Sequence, residues 1–425
     1  MQKSDELGEV ALLLFEQVKK LGIETYASGF NILNQEKKNL VSWMSNPTGA
    51  INPPFEMPVE SFELHRKIYE AWKNNEDFLE DDLTGEALAA HYKFLRSHPL
   101  LDEAFKKSEA ADIETPDRQV HNIAIFSQGF LLFITFEPHH EFREIFIRFA
   151  KVFEQTYTRF LDLEKAEEQA REARIEAALE RVRSRTMAMQ KSDELSAISS
   201  ELFKQVQLLE VPSWYCAFNI NDEDPNSSLE WGSNGERTFE KYRTPRENIF
   251  LSYYEAGQRG ETLFINEIGK EECPAHYEYL CSLSGVGEQL LAMKANGIPF
   301  PVSQIDHVAF FKYGYILFIT YGPAPEAHDI FKRFAKVFEQ TYTRFLDLQK
   351  AEAQAREAQI ESALERVRSR TMAMQHSDEL NPTADILFDQ LKKLGADLQG
   401  VAFTICDKNS TIITKWTSIN RTDNW

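Results

Sequence analysis

Cysteine is scarce. Four cysteines in 425 residues give no disulfide framework and fit a reducing compartment. No apolar run reaches bilayer length; the best, GFLLFITF from Gly129 to Phe136, is only strand-length. The opening MQKSDELGEV is polar where a signal peptide needs an apolar stretch. Positive charge is also short. Asp and Glu outnumber Lys and Arg by 67 to 47, giving a formal net charge of −20 that repels nucleic-acid backbones and anionic membranes. These absences predict a cytoplasmic protein with neither nucleic acid nor membrane among its partners. Catalytic signatures are missing as well: there is no GxSxG, phosphate loop, HExxH or recognisable carboxylate pair. The expectation is a chain with no catalytic residues and no indicated cofactor. What the chain does have is core material, 43% hydrophobic residues including 31 Phe.

It also repeats itself. MQKSDEL opens at Met1 and returns at Met189, then as MQHSDEL at Met374, one domain length apart each time. RFAKVFEQTYTRFLDL recurs unchanged at Arg148 and Arg333, and ALERVRSRTMAMQ at Ala178 and Ala363. The connectors are therefore better preserved than the domain bodies. The repeat divides the chain into a first domain (1–163), a helical linker (164–191), a second domain (192–348), a second linker (349–376) and the start of a third domain (377–425). Phe403 and Trp416 in that last piece match a strand pair seen twice before. Three strands and the covering helices do not follow, so the chain reads as a fragment. The connector at Met1 raises the same expectation for its start.

Each unit reads as helix, two strands, helices with one strand, two strands, long helix. Val10, Leu14 and Val18 recur at helical spacing; Tyr26–Leu33 and Leu40–Ser45 alternate as a hairpin, and His121–Phe126 and Phe130–Phe136 form another turning at SQG. Phe142, Phe146, Phe149, Phe153, Tyr157 and Phe160 place a broad aromatic face against one side of the sheet. Beyond Leu163 the composition turns to Ala, Glu, Gln and Arg. Ile175, Leu179, Val182, Thr186 and Met189 follow a 4-3-4-3 spacing, repeated by Ile360, Leu364, Val367, Thr371 and Met374. This predicts a seam that pairs the linkers of a homodimer. One unbroken helix from Glu141 to Leu209, roughly 100 Å at 1.5 Å per residue, is favoured over a fresh start capped by Ser192.

The element order, with a terminal helix feeding a heptad linker, resembles the GAF sensory domain and its PAS relative. The ALERVRSRTMAMQ-x-SDEL connector is similar to those joining tandem units in bacterial signal-transduction proteins, notably sensor histidine kinases. The resemblance implies an α+β fold of repeated antiparallel sheets flanked by helices and joined by long helical coiled-coil linkers. It also implies a small-molecule or partner sensor in a two-component pathway, which relays to an output domain outside this chain. The alternative is a scaffold that binds no ligand and only dimerises an output domain.

Several residues could carry chemistry. His376 in QHSDELNP superficially evokes a phosphoacceptor box, but Ser377 stands where an acid is needed and Lys191 and Lys3 occupy the repeat positions. Cys273, His276 and Cys281 lack metal-ligand spacing, so no metal is expected. No cysteine is placed beside a histidine for covalent tetrapyrrole attachment. Pairs present in both units stand out: His91 with His276, Tyr92 with Tyr277, His121 with His307, and Trp43 with Trp231. They read either as aromatic walls and imidazole groups of a small-molecule pocket or as satisfied core residues.

Overall fold

The computed structural model describes residues 7–34, 36–46, 50–110, 113–406 and 413–419. The opening MQKSDE and the last six residues lie outside them. The chain separates into two compact units, Met1–Arg171 and Glu172–Trp425.

The first unit begins with α1 (Leu7–Lys20), followed by β1 (Thr25–Asn34), β2 (Asn39–Met44) and β3 (Phe55–Pro58). Then come α2 (Glu63–Lys73), β4 (Phe78–Thr84), α3 (Gly85–Leu95), α4 (Pro99–Ala110), β5 (Arg118–Phe126) and β6 (Gly129–Thr135). The strands form one antiparallel sheet in the order β3-β2-β1-β6-β5-β4. Alternation sorts its two faces. Phe30, Ala124, Leu131 and Phe133 pack against α1 and the start of α5 (Arg143–Met187), where Phe146, Phe153, Tyr157 and Phe160 are buried as the aromatic period anticipates. Phe133 stacks on Phe146 with ring centroids 4.4 Å apart. The opposite face, with Leu33, Leu40, Ile123 and Phe130, receives Leu64 and Ile68 of α2 and Leu88 of α3. Gly129 is required at the start of β6, because a Cβ there would collide with the Asn31 carbonyl.

The second unit repeats the plan. α6 (Leu195–Leu208) leads into β7 (Ser213–Asn221), β8 (Ser227–Ser233), β9 (Tyr242–Pro245), α7 (Asn248–Gln258) and β10 (Leu263–Ile268). α8 (Cys273–Ser282), α9 (Val286–Ala295), β11 (Gln304–Phe311), β12 (Gly314–Thr320) and α10 (His328–Met372) complete it. The sheet order is β10-β11-β12-β7-β8-β9. α11 (Leu380–Lys393) and the hairpin β13 (Gly400–Cys406) and β14 (Ile413–Ile419) follow. Phe403 pairs with Trp416 as Phe30 does with Trp43 and Phe218 with Trp231.

The expected unbroken rod does not form. α5 ends at Met187, a 3-10 turn occupies Ser192–Glu194, and α6 starts afresh. The reason lies in the repeated SDEL. Glu194 Oε1 accepts the backbone N–H groups of both Gln190 and Lys191 at 2.9 Å, satisfying donors that a continuing helix would have used. Glu379 does the same for Gln375 and His376. In its two described copies the motif is thus a helix restart, made at the first of them by the glutamate rather than by Ser192.

Candidate functional site

The face of the first sheet that looks away from α1 and α5 carries a cavity of 140 Å³. Its floor is Asn31, Ser42, His121 and Leu132; its roof includes His65 and Ile68 of α2, His91 and Tyr92 of α3, and Phe105 of α4. Three imidazoles converge here, all buried. The His91 and His121 ring centroids are 5.1 Å apart. Burial holds each ring neutral: His65 and His121 fall to about 4, and His91 to about 3, with like-charge repulsion from its two neighbours adding to desolvation. Among the described residues no cluster of His, Cys, Asp or Glu is arranged to hold a metal.

A chain of hydrogen bonds fixes the state of His121. Tyr92 Oη donates to the Pro116 carbonyl at 3.1 Å, which can only accept. Tyr92 therefore accepts from Gln119 Nε2 at 3.0 Å, and this orients the amide. Gln119 Oε1 then accepts from His121 Nε2 at 3.1 Å. The neutral ring spends its one proton on Nε2, so Nδ1 is a bare lone pair. It has no partner, and neither does His91 Nδ1. His65 is set the same way. Ser61 Oγ donates to the Pro58 carbonyl at 2.5 Å and so accepts from His65 Nδ1 at 3.4 Å, leaving Nε2 as the unprotonated nitrogen.

The second unit fills the corresponding space. Register shows the correspondence: Phe126 faces Gly129 across its hairpin as Phe311 faces Gly314. Counting back, Gln119 matches Gln304 and His121 matches Asp306. The paired reading of His121 with His307 is therefore off by one residue, and in a strand one residue changes the face. His307 bonds Thr320 Oγ1 at 2.9 Å and packs on Phe331 of α10, where the first unit has Asn122 and Thr135. On the cavity side, Tyr277 Oη donates to Gln304 Oε1 at 2.6 Å and Gln304 Nε2 donates to Asp306 at 2.8 Å. Tyr253 Oη closes that chain on Asp306 at 2.6 Å. Tyr215 and Tyr242, at the positions of Ala27 and Phe55, both donate to the buried Glu230 carboxylate, which also accepts from Asn219. Burial raises both carboxyls, Asp306 to about 6. Only 40 Å³ remains, lined in part by His276 and Tyr277.

The tryptophans line neither space. Trp43 stacks on Phe30 at 5.1 Å and Trp231 is buried beside Phe218, both on the faces covered by the terminal helices. They belong to Phe30-type positions, one residue out of phase with Asn31 and Ser42. Sequence reading missed His65, because Phe250 stands there in the second unit and no repeat marks it. It also missed Glu230 and Asp306, whose signal was polar residues inside otherwise apolar strands.

The linker seams differ from a free dimer surface. Ile175, Leu179, Val182, Thr186 and Met189 are buried within the second unit, in one apolar cluster with α6 and α10 except for Thr186, which bonds the Val182 carbonyl. Arg333 of α10 reaches Glu172 and Glu176 at 2.6 and 2.5 Å. Those five residues are therefore covered by their own chain. In the second copy Leu364 is 51% exposed against 2% for Leu179. Thr371 is exposed, while Ile360, Val367 and Met374 are half-buried.

One polar path leaves the cavity wall. Trp72 of α2 donates its indole N–H to the Ser127 carbonyl in the β5–β6 turn at 3.1 Å. Ser127 N–H donates to Glu154 of α5 at 2.9 Å, and Gln128 donates to Thr158 at 3.2 Å. The second unit keeps the turn-to-helix bond, Lys312 to Glu339 at 2.7 Å. It has Gly257 where the first has Trp72.

No family model matches the chain, and no curated protein matches it. Among solved structures it is similar to bacteriophytochrome RpBphP3 from the photosynthetic bacterium R. palustris, with 12% identity and a TM-score of 0.28 over 75% of this chain and 60% of that one. The chain thus spans less than two thirds of that structure's length. Its own topology is that of two α+β units, each an antiparallel six-stranded sheet between helices, with long helices following them, an arrangement consistent with GAF/PAS-like repeats joined by helices. No helix among the described residues is long and apolar enough to cross a membrane.

Proposed function

We propose that the chain is a cytoplasmic sensory module of a bacterial signal-transduction protein, in which the first unit binds a small molecule and the second is a filled structural relay. The observation that carries this reading is the difference between two equivalent spaces. One holds 140 Å³ with unpartnered imidazole nitrogens; the other is closed by tyrosines on carboxylates. Buried polar atoms are ordinarily satisfied, and an exception beside a cavity is a place for a ligand. The filled second core supports the scaffold reading for that unit alone. No catalytic role is assigned to either unit.

Occupancy would act through α2. A ligand pressing on His65 and Ile68 shifts the helix that carries Trp72, and the Trp72–Ser127–Glu154 path delivers that shift to α5. A ligand biases such an element only by its differential affinity for the two positions. The signal would pass to an output in a two-component or related pathway, and a homodimer is one way to present it.

The test is a thermal-shift screen of small neutral aromatic and aliphatic compounds on the whole chain, with Ala27→Tyr as the control. That substitution installs the ring found at Tyr215. Ligand at about a hundred times its Kd stabilises the binding unit by about 2.7 kcal/mol. The reading expects a shift in the wild type and none in Ala27→Tyr. Equal shifts in both proteins, or none in the wild type, would refute it.

A further inference from the structure

We infer that the first unit's cavity selects an uncharged, single-ring compound that donates a hydrogen bond from O–H or N–H, a phenol-like donor, and rejects carboxylates, phosphates and donorless rings of the same size. This rests on the sensing reading above and adds the chemical class. The Pro116 carbonyl accepts from Tyr92, Tyr92 from Gln119, and Gln119 from His121 Nε2. Each step has its direction forced by the one before, so the last member, His121 Nδ1, can only accept. It is buried and has nothing to accept from. The Pro58–Ser61–His65 chain likewise ends with His65 Nε2 unprotonated, on the α2 side of the cavity.

The remaining wall excludes the alternatives. Most of it is apolar, its other polar members such as Tyr26, Asn31, Asn52 and Ser108 are neutral, and among the described residues no lysine or arginine lines the space. An anion would exchange water for a mostly hydrocarbon wall, bare imidazole lone pairs and neutral polar groups, with no cation to compensate. The neutral state of the rings, forced by burial, supports the same conclusion. Size limits the body: an apolar cavity of about 150 Å³ holds a benzene ring, and this one has 140 Å³.

Titration calorimetry at pH 7.5 on the whole chain with phenol, toluene and sodium benzoate tests the inference. The expected result is one phenol per chain, toluene weaker by roughly tenfold because it leaves Nδ1 unsatisfied, and no benzoate binding. His121→Phe keeps a ring in place and removes the acceptor, so phenol should fall to the toluene level while toluene is unchanged. Tyr92→Phe serves if His121→Phe fails to fold. It frees the Gln119 amide to turn over and should narrow the phenol-to-toluene ratio while all three imidazoles remain. Benzoate binding as tightly as phenol, toluene matching phenol in the wild type, or an unchanged ratio in the variants would overturn the donor inference alone. Failure of all three compounds would overturn it together with the sensing reading.

Discussion

Lowering the pH from 7 to 5 should open the first unit while leaving the second largely closed. His65 and His121 titrate near 4 and His91 near 3 in the folded chain, against 6.5 when exposed. The unfolded state therefore binds more protons than the folded state between about pH 6.5 and 4, and stability falls as pH falls through that window. At pH 5 each ring contributes a loss of about 2 kcal/mol, or about 6 kcal/mol for the three, at 1.36 kcal/mol per pKa unit. That is comparable to the whole stability of a small domain. The second unit has two such rings, His276 and His307, both near 4. It also has Asp306, raised to about 6 by burial. A raised carboxyl binds its proton in the folded state first, so below pH 6 it offsets about 1 kcal/mol of the histidine loss, and Glu230 acts in the same direction. Hydrogen exchange read peptide by peptide, corrected for the intrinsic pH dependence, measures this. Peptides from β5 and β6 should lose protection at pH 5 well before those from β11 and β12. Equal loss in both units, or rising protection in the first, would refute the burial of three neutral imidazoles.

Three further outcomes follow from the packing. Val182→Glu places a charge in the second unit's core, where Val182 has no exposure, and should destabilise that unit by about 3 kcal/mol or more in urea melts; Val367→Glu at the half-buried second copy should cost much less, and equal effects would contradict the intrachain seam. Glu194→Gln weakens the acceptor that restarts α6 and should lower the melting temperature of the second unit by a few degrees, equivalent to about 1 kcal/mol; no change would deny the cap its role. Trp72→Phe removes the indole bond to the β5–β6 turn and should leave ligand affinity within about threefold while abolishing any ligand-induced change in exchange along α5; an unchanged α5 response would break the proposed path.

Much of this architecture was legible in the sequence, for identifiable reasons. Period-2 alternation fixed the hairpins, and the 3.6-residue aromatic period of Phe146 to Phe160 announced the helix that covers the sheet. The repeat singles out His91 and Tyr92, because α3 and α8 carry the pair at the same repeat distance. What failed was phase. His121 and His307 sit one residue apart in register, and Trp43 lies one residue from Ser42, so similar residues at similar places face opposite sides of the sheet. The helix break at Ala188–Lys191 was missed because no Gly or Pro marks it. The glutamate of SDEL does that work through two backbone N–H groups, and a glutamate in a charged helix gives no warning of it. The 4-3-4-3 spacing reads as a seam between the linkers of a dimer; in the first copy its residues are buried within their own unit, because period alone does not say whether the covering helix comes from the same chain.

The most direct measurement of the central claim is a two-bond ¹H–¹⁵N spectrum of the whole chain labelled at histidine nitrogen, titrated with phenol at pH 7.5. The account predicts that His121 is the Nε2–H tautomer before addition, that its Nδ1 resonance moves on binding as the lone pair accepts a hydrogen bond, and that His276 and His307 stay still. A His121 ring protonated at Nδ1, or shifts shared equally by the histidines of both units, would contradict it.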